Sequence, residues 1–275
     1  MMNVQVCSKE KLYSALMTIV SALFYGALYF APSMWKALYT SAHIVIFWIL
    51  ILFVLYSALL LVGNLRNNAV RVSPLQFPEL FAILKKQSEK LGLKKVPAMY
   101  ILQSGGLLNA FATKLWGGSY VILYSDIVDA AYQEGMPAVE FIIGHELGHI
   151  ARKHVNGLWN WFILPAKFIP FLSSAYSRAR EFTCDSIGYA LCPEGAEKGL
   201  LVLAAGKRLH KKINVDELIW NYHQEKGFIS WYDEIVSTHP PLIKRIERFH
   251  AVTQDTAPSI HADIHKSFDN KENSL

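Results

Sequence analysis

His145 and His149 flank Glu146-Leu147-Gly148, and this HExxH spacing is the stretch of the sequence best equipped for chemistry. On a helix, positions i and i+4 lie about 40° apart around the axis and about 6 Å along it. Both imidazoles can therefore reach one tetrahedral metal ion from the same face. Glu146, offset by about 100°, would stand beside such a metal as a proton acceptor rather than bind it. A chain of this length contains the pattern by chance on the order of once in a hundred, so its setting matters. The flanking Phe141, Ile142, Ile143, Leu147 and Ile150 are apolar, where two unpartnered histidines would be costly. The plainer alternative is a helix whose histidines are merely buried or capped.

A catalytic zinc takes three protein ligands and keeps one position open. One source of the third is a histidine six residues after the second, with glycine midway. Val155 and Arg152 occupy those positions, which excludes that class. His154 follows too soon: on a continuous helix it points about 140° away from His149, and it is expected at the surface. The remaining source is a carboxylate from a later helix. Glu181, within Ser177-Arg178-Ala179-Arg180-Glu181-Phe182-Thr183-Cys184-Asp185, is the candidate. Asp185 falls on the same face at i+4 and can accept the second N–H of a metal-bound histidine. Glu194 and Glu197 lack such a partner. An ordinary solvated face of Arg178, Arg180, Glu181 and Asp185 is the alternative.

The elements that must position these groups follow from punctuation in the chain. Pro137 opens the helix carrying the histidines, which is expected to end near Gly157. Pro78 to Leu91 reads as a helix stopped by Gly92, with Leu80, Leu84 and Leu91 on one face. Short β-type runs follow at Ala98–Gln103, Leu107–Thr113 and Tyr120–Tyr124, and Ser125 caps a short helix. The remainder reads helical, with breaks near Pro193, Gly227 and Thr238-His239-Pro240-Pro241. The expected fold is α+β and mostly helical, with a small antiparallel-containing sheet.

Apolar residues are concentrated at the amino end. Leu12–Ala31 and Ile44–Gly63 each run 20 residues without a charge, the length a helix needs to cross about 30 Å of hydrocarbon. Tyr and Trp near their ends suit interfacial anchoring. A signal peptide is the alternative for the first, a buried core helix for the second. Lys9, Lys11, Arg66 and Arg71 lie outside the pair and only Lys36 between them. The positive-inside rule then gives a hairpin with both ends cytoplasmic. The expected organisation is a transmembrane hairpin over 1–63, a catalytic domain over 64–252 and a polar, disordered tail over 253–275. Charged residues are 18% of the 275 and hydrophobic residues 52%, which excludes disordered and collagen-like classes. Net charge is a mild +5, and no basic run carries interleaved aromatics, so nucleic acid is not an expected partner. Three cysteines, Cys7, Cys184 and Cys192, suit a reducing compartment better than a disulfide framework.

Four landmarks, in order, make the sequence similar to the gluzincin membrane proteases of metallopeptidase family forty-eight, which include HtpX-like heat-shock proteases and type I CAAX prenyl endopeptidases. Asn109-Ala110-Phe111-Ala112 resembles that family's substrate-binding edge strand, and His145 to His149 its zinc helix. Glu181 to Asp185 resembles its third-ligand helix, and Thr238-His239-Pro240 with Arg245-Ile246 its carboxyl-terminal signature. The likeness runs from about Phe77 to Phe249 and implies one Zn²⁺ per chain on His145, His149 and Glu181. It implies a membrane-anchored endopeptidase using zinc-activated water with Glu146 as general base. It also implies His239 as a donor to the developing oxyanion, or as a stopper of the open zinc position in a latent state, and Arg245 as a brace. Substrate would add as a strand beside Asn109, Ala110 and Phe111. The partners so implied are the bilayer and membrane-associated or misfolded protein, in membrane-protein quality control at a bacterial inner membrane. HtpX-like members have further spans after the zinc helix. Here Val155 to Tyr176 is interrupted by Pro165, Lys167 and Pro170, so a segment lying on the bilayer, lidding the cleft or packing in the core is expected instead. The large multi-span cage of the prenyl endopeptidases cannot be built from this length. A catalytically latent zinc-binding membrane scaffold is the alternative function.

Overall fold

A computed structural model describes residues 6–30, 41–103, 110–115 and 118–255. Two long apolar helices come first, α1 (Ser8–Phe30) and α2 (Ser41–Asn68). Both are long and apolar enough to cross a membrane. They differ in setting. The apolar surface of α2 is exposed along Ile44–Leu60, whereas α1 buries Met17, Ser21 and Leu28.

A four-stranded mixed sheet follows in the order β1-β2-β4-β3. Strand β1 (Ala69–Arg71) pairs antiparallel with β2 (Ala98–Leu102), and β2 runs parallel to β4 (Gly118–Tyr124). Strand β3 (Ala110–Leu115) pairs antiparallel with β4, Ala110 opposite Leu123, and forms one edge. Between β1 and β2 lies α3 (Pro78–Lys90), with Pro near its first position and Gly92 in the left-handed region (φ 68°) as its stop. After β4 come α4 (Ser125–Glu134) and α5 (Pro137–Ala151). Then follow α6 (Gly157–Phe162), α7 (Leu164–Lys167), α8 (Leu172–Leu191) and α9 (Ala196–Leu209). Last are α10 (Val215–Gln224), α11 (Phe228–Val236) and α12 (Leu242–Asp255).

Apart from Glu140, helix α5 is buried on every side from Ala138 to Gly148, which explains why its apolar residues show no single stripe. Val121 and Leu123 of the sheet pack with Val139, Ile143 and Leu147 of α5 in one core, closed by Ile187, Leu191, Leu200, Ile246 and Phe249 from later helices. A second, smaller cluster joins Met17 of α1 to Ile163, Ala166 and Tyr176, tying the first apolar helix to the α6–α8 segment.

Three expectations change. Strand β1 is not among the runs expected from sequence; three residues directly after a helix carry too little alternation to signal a strand. The helix from Pro137 ends at Ala151, because Lys153 takes a left-handed backbone (φ 59°) and Asn156 caps a new helix through Leu158 N–H. Helix α12 continues past Val252 to Asp255. Ala31, Asn109 and residues 256–275, which figure in the expected span, edge strand and tail, lie outside the described residues.

Candidate metal centre

The crossing of α5 and α8 builds the site, and small residues let the two helices approach closely. A Cβ added at Gly148 would sit 3.3 Å from the Cys184 Cα, and one at Gly144 would sit 3.2 Å from the Gly188 Cα. A Cβ added at Gly188 would lie 2.9 Å from the Phe141 ring. Gly144 and Gly148 on one helix thus face Cys184 and Gly188 on the other, at matching i, i+4 spacing. Larger side chains in that seam would hold the axes apart. The histidines and acids next to the seam are thereby brought within contact.

His145 Nε2 lies 3.3 Å from His149 Nε2 and 3.3 Å from Glu181 Oε2, while His149 Nε2 lies 3.4 Å from Glu181 Oε1. Ligand atoms about 2.0–2.1 Å from a tetrahedral zinc lie about 3.3–3.4 Å from one another; the two imidazole nitrogens keep that spacing from each other and each from one oxygen of Glu181, so this triangle of residues suits the ion. His145 Nδ1 lies 2.9 Å from Asp185 Oδ1, so with its proton held there the neutral ring would offer its Nε2 lone pair toward the other two donors. Asp185 is fully buried and also receives both Arg245 Nε (2.9 Å) and Arg245 Nη2 (2.7 Å). This two-pronged ion pair fixes the carboxylate that orients His145.

The electrostatics of these residues also favour a cation. Burial disfavours the His145 imidazolium, but the bonds to Asp185 and Glu181 outweigh it and push its pKa up to about 10. Burial likewise opposes charge on Glu181, yet the two histidines hold it well below the usual carboxylate range. Asp185 is lowered too: Arg245 and His145 outweigh its burial. Two buried carboxylates therefore draw positive charge into a site where Arg245 already pairs with one of them.

A cavity of about 280 Å³ opens over this triangle. Glu146 lines it beside His145 and His149, and the edge strand contributes Ala110, Phe111 and Ala112. His239 stands at the rim with its side chain largely exposed and Nε2 3.9 Å from Glu181 Oε1. Arg245 lines the cavity as well, its guanidinium turned to Asp185. Of the residues singled out from sequence, His145, Glu146, His149, Glu181, His239, Arg245, Ala110 and Phe111 surround one space, Asp185 lies buried behind His145, and Asn109 is outside the described residues.

His154 is a correction. It is buried, not at the surface, and its ring lies against His149 with the two Nδ1 atoms 3.2 Å apart. The continuous-helix projection failed because α5 stops at Ala151 and the left-handed Lys153 turns the chain back beneath His149. Asn156-Gly157 was the available signal, since an N-cap there requires the preceding helix to end first. Burial pushes the His154 imidazole down to about 4 despite its bond to Glu10, so the ring is neutral at pH 7. Cys184 lies 3.6 Å from His154 Nδ1, and burial with nearby acids pushes its thiol well up. All three cysteines are free thiols.

Comparison with known proteins follows the same lines. The family description "Peptidase family M48" matches residues 74–160 and 156–253, well over half of the chain, and the chain belongs to that family. Its two apolar helices are consistent with the membrane association of a membrane metallopeptidase. Among solved structures, the crystal structure of S. mikatae Ste24p is similar at 12% identity and a TM-score of 0.47, covering 89% of this chain and 67% of that one. No curated protein matches.

Proposed function

We propose that this chain is a membrane-anchored zinc endopeptidase in which His145, His149 and Glu181 hold the metal and Glu146 is the general base. The observation that carries the reading is the convergence of His145 and His149 Nε2, 3.3 Å apart, on the two Glu181 oxygens at 3.3 and 3.4 Å, opening onto a cavity that Glu146 lines. Zinc held there supplies positive charge that lowers the pKa of water and polarises a carbonyl. The Glu146 carboxylate takes the proton from the attacking water and returns it to the leaving nitrogen. His239, at the rim, donates to the carbonyl oxygen as negative charge grows on it. Asp185 and Arg245 hold His145 in one orientation.

Strand β3 borders the cavity as a sheet edge, which supports binding of an extended substrate by main-chain pairing at Ala110 and Phe111. Asn109 would extend the same edge. Main-chain pairing reads side chains loosely, so location selects the clients. The apolar helices, residues 1–63 of the anchoring unit, would confine the catalytic domain that follows them to the bilayer surface. The clients are then membrane-associated or misfolded proteins, and the role is quality control at a bacterial inner membrane with the catalytic domain in the cytoplasm. A second reading, a latent zinc-binding scaffold, draws on His239, whose Nε2 is close enough to the donor triangle to stop the open position.

Degradation of casein by the detergent-purified full chain tests the proposal. Activity that chelation abolishes and stoichiometric zinc restores supports it. A chain that binds no zinc contradicts it, and a zinc-loaded chain without activity selects the latent reading. A reporter fused after Leu275 and accessible only from outside the cell would overturn the orientation.

A further inference from the structure

His154 is held at every polar atom. Its N–H donates to the His149 carbonyl at 2.9 Å, and its own carbonyl accepts from Arg180 Nη2 at 2.8 Å and Asn160 Nδ2 at 3.0 Å. Its Nδ1 faces His149 Nδ1 at 3.2 Å, and its Nε2 faces Glu10 Oε1 at 3.1 Å. Glu10 belongs to the first turn of α1, is 4% exposed, and also accepts from Arg152 Nη2 at 3.3 Å. The backbone ahead of it is pinned to the metal-site helix, since Cys7 N–H donates to Thr183 Oγ1 at 3.2 Å. A carboxylate of the first apolar helix therefore ends within one imidazole of His149.

The protons along this row can be assigned from one end. Two facing Nδ1 atoms at 3.2 Å need one proton between them. If His149 offers Nε2 to the metal, its proton is on Nδ1 and is donated to His154 Nδ1. His154 then keeps its own proton on Nε2 and donates it to Glu10. His145 shows the shorter version, its Nδ1 donating straight to Asp185. Both ligating histidines thus end on a buried carboxylate, one directly and one through an interposed ring. His149, His154 and Cys184 could also be read as a second metal cluster, their donor atoms lying within 4.8 Å of one another. That use would require His149 without a proton on either nitrogen.

We propose that Glu10 is a positioning residue for the metal centre, orienting and polarising His149 through His154, so that metal affinity depends on the seating of the first apolar helix. The inference rests on the reading of His149 as a metal ligand. Such outer partners raise the basicity of the ligand and fix its ring, and losing one typically weakens metal binding about 10–100-fold.

Zinc affinity of the full chain in detergent, measured by competition with a chromophoric chelator on material that is monodisperse and helical, tests this. Glu10→Leu and His154→Leu are each expected to weaken zinc binding about tenfold or more, and the double variant no further than either alone. His154→Gln is expected to keep near-wild-type affinity, because its amide oxygen accepts from His149 and its NH₂ donates to Glu10. A purely structural role for Glu10 would lower thermal stability and leave the zinc affinity of the folded chain unchanged, and that result overturns the proposal. Additive losses in the double variant, or two bound zinc ions per wild-type chain, overturn it as well. If His154→Leu does not fold, Glu10→Gln takes its place and the same loss of affinity is required. Wild type binding one zinc that His149→Ala abolishes, together with unaffected Glu10 variants, refutes the relay alone. Zinc binding that survives His149→Ala refutes the metal centre itself.

Discussion

Replacing Asp185 with asparagine keeps the shape of the side chain and removes its charge. The carboxylate accepts three hydrogen bonds, from His145 Nδ1 (2.9 Å), Arg245 Nε (2.9 Å) and Arg245 Nη2 (2.7 Å), and is fully buried. Asparagine brings an NH₂ that must point at one of these donors, and it leaves Arg245, itself 7% exposed, as a buried unpaired cation. Breaking a buried pair from one side costs about 3–5 kcal/mol. At about 2–4 °C of Tm per kcal/mol for a chain of this size, the loss is about 6–20 °C. The assay is thermal unfolding of the full chain with a chelator present, so that zinc binding does not enter the comparison. Arg245→Met alone should also destabilise, whereas Asp185→Leu with Arg245→Met should lose much less than the sum, because an apolar pair of similar volume removes both desolvation costs. Additive losses, or an Asp185→Asn Tm within about 2 °C of wild type, would show that the pair is not coupled as the distances require.

The seam between α5 and α8 makes a second test. Gly188→Ala places a methyl 2.9 Å from the Phe141 ring and 3.0 Å from the Phe141 carbonyl, and should cost about 1–3 kcal/mol. Gly227→Ala, whose Cβ meets nothing within 4 Å, should lose no packing in the same scan. His250 donates to Glu197 (2.7 Å) and Asp216 (3.1 Å), and these acids raise its pKa above the ordinary value in spite of its burial. Its contribution to stability is full below the unfolded pKa of about 6.5 and is lost as pH rises through the raised folded value. The Tm deficit of His250→Gln should therefore be largest in mild acid and shrink toward alkaline pH. His239→Ala should lower kcat about 100-fold at unchanged zinc content if the residue donates to the developing oxyanion. A gain of activity would identify it as the stopper of a latent site.

What could be read from the sequence was what depends on local spacing. The i, i+4 offsets of His145 with His149 and of Glu181 with Asp185 translate directly into shared helix faces, and Pro78 and Pro137 mark helix starts. The harder features depend on where one helix stops or on what a neighbour allows. His154 looked exposed because the turn at Lys153 is a backbone event with no signature in lysine itself. Gly144, Gly148 and Gly188 carry no pattern that names their partners, and their function as a close-contact seam emerges only from the crossing of the two helices. Glu10 lies 144 residues before His154 and reads as one more charge ahead of an apolar run. Strand β1 exists because the edge of β2 offers it a ladder, from Ala69 opposite Leu102 to Arg71 opposite Tyr100.

In the proposed mechanism Glu146 moves the proton at a metal centre it does not help to hold. Glu146→Gln in the full-length, detergent-solubilised chain, assayed for casein degradation alongside bound zinc, tests it most directly. The expected result is one zinc per chain, as in wild type, with proteolysis abolished. Proteolysis persisting in the variant would rule out Glu146 as the general base, and zinc lost together with the carboxylate would make it a ligand instead.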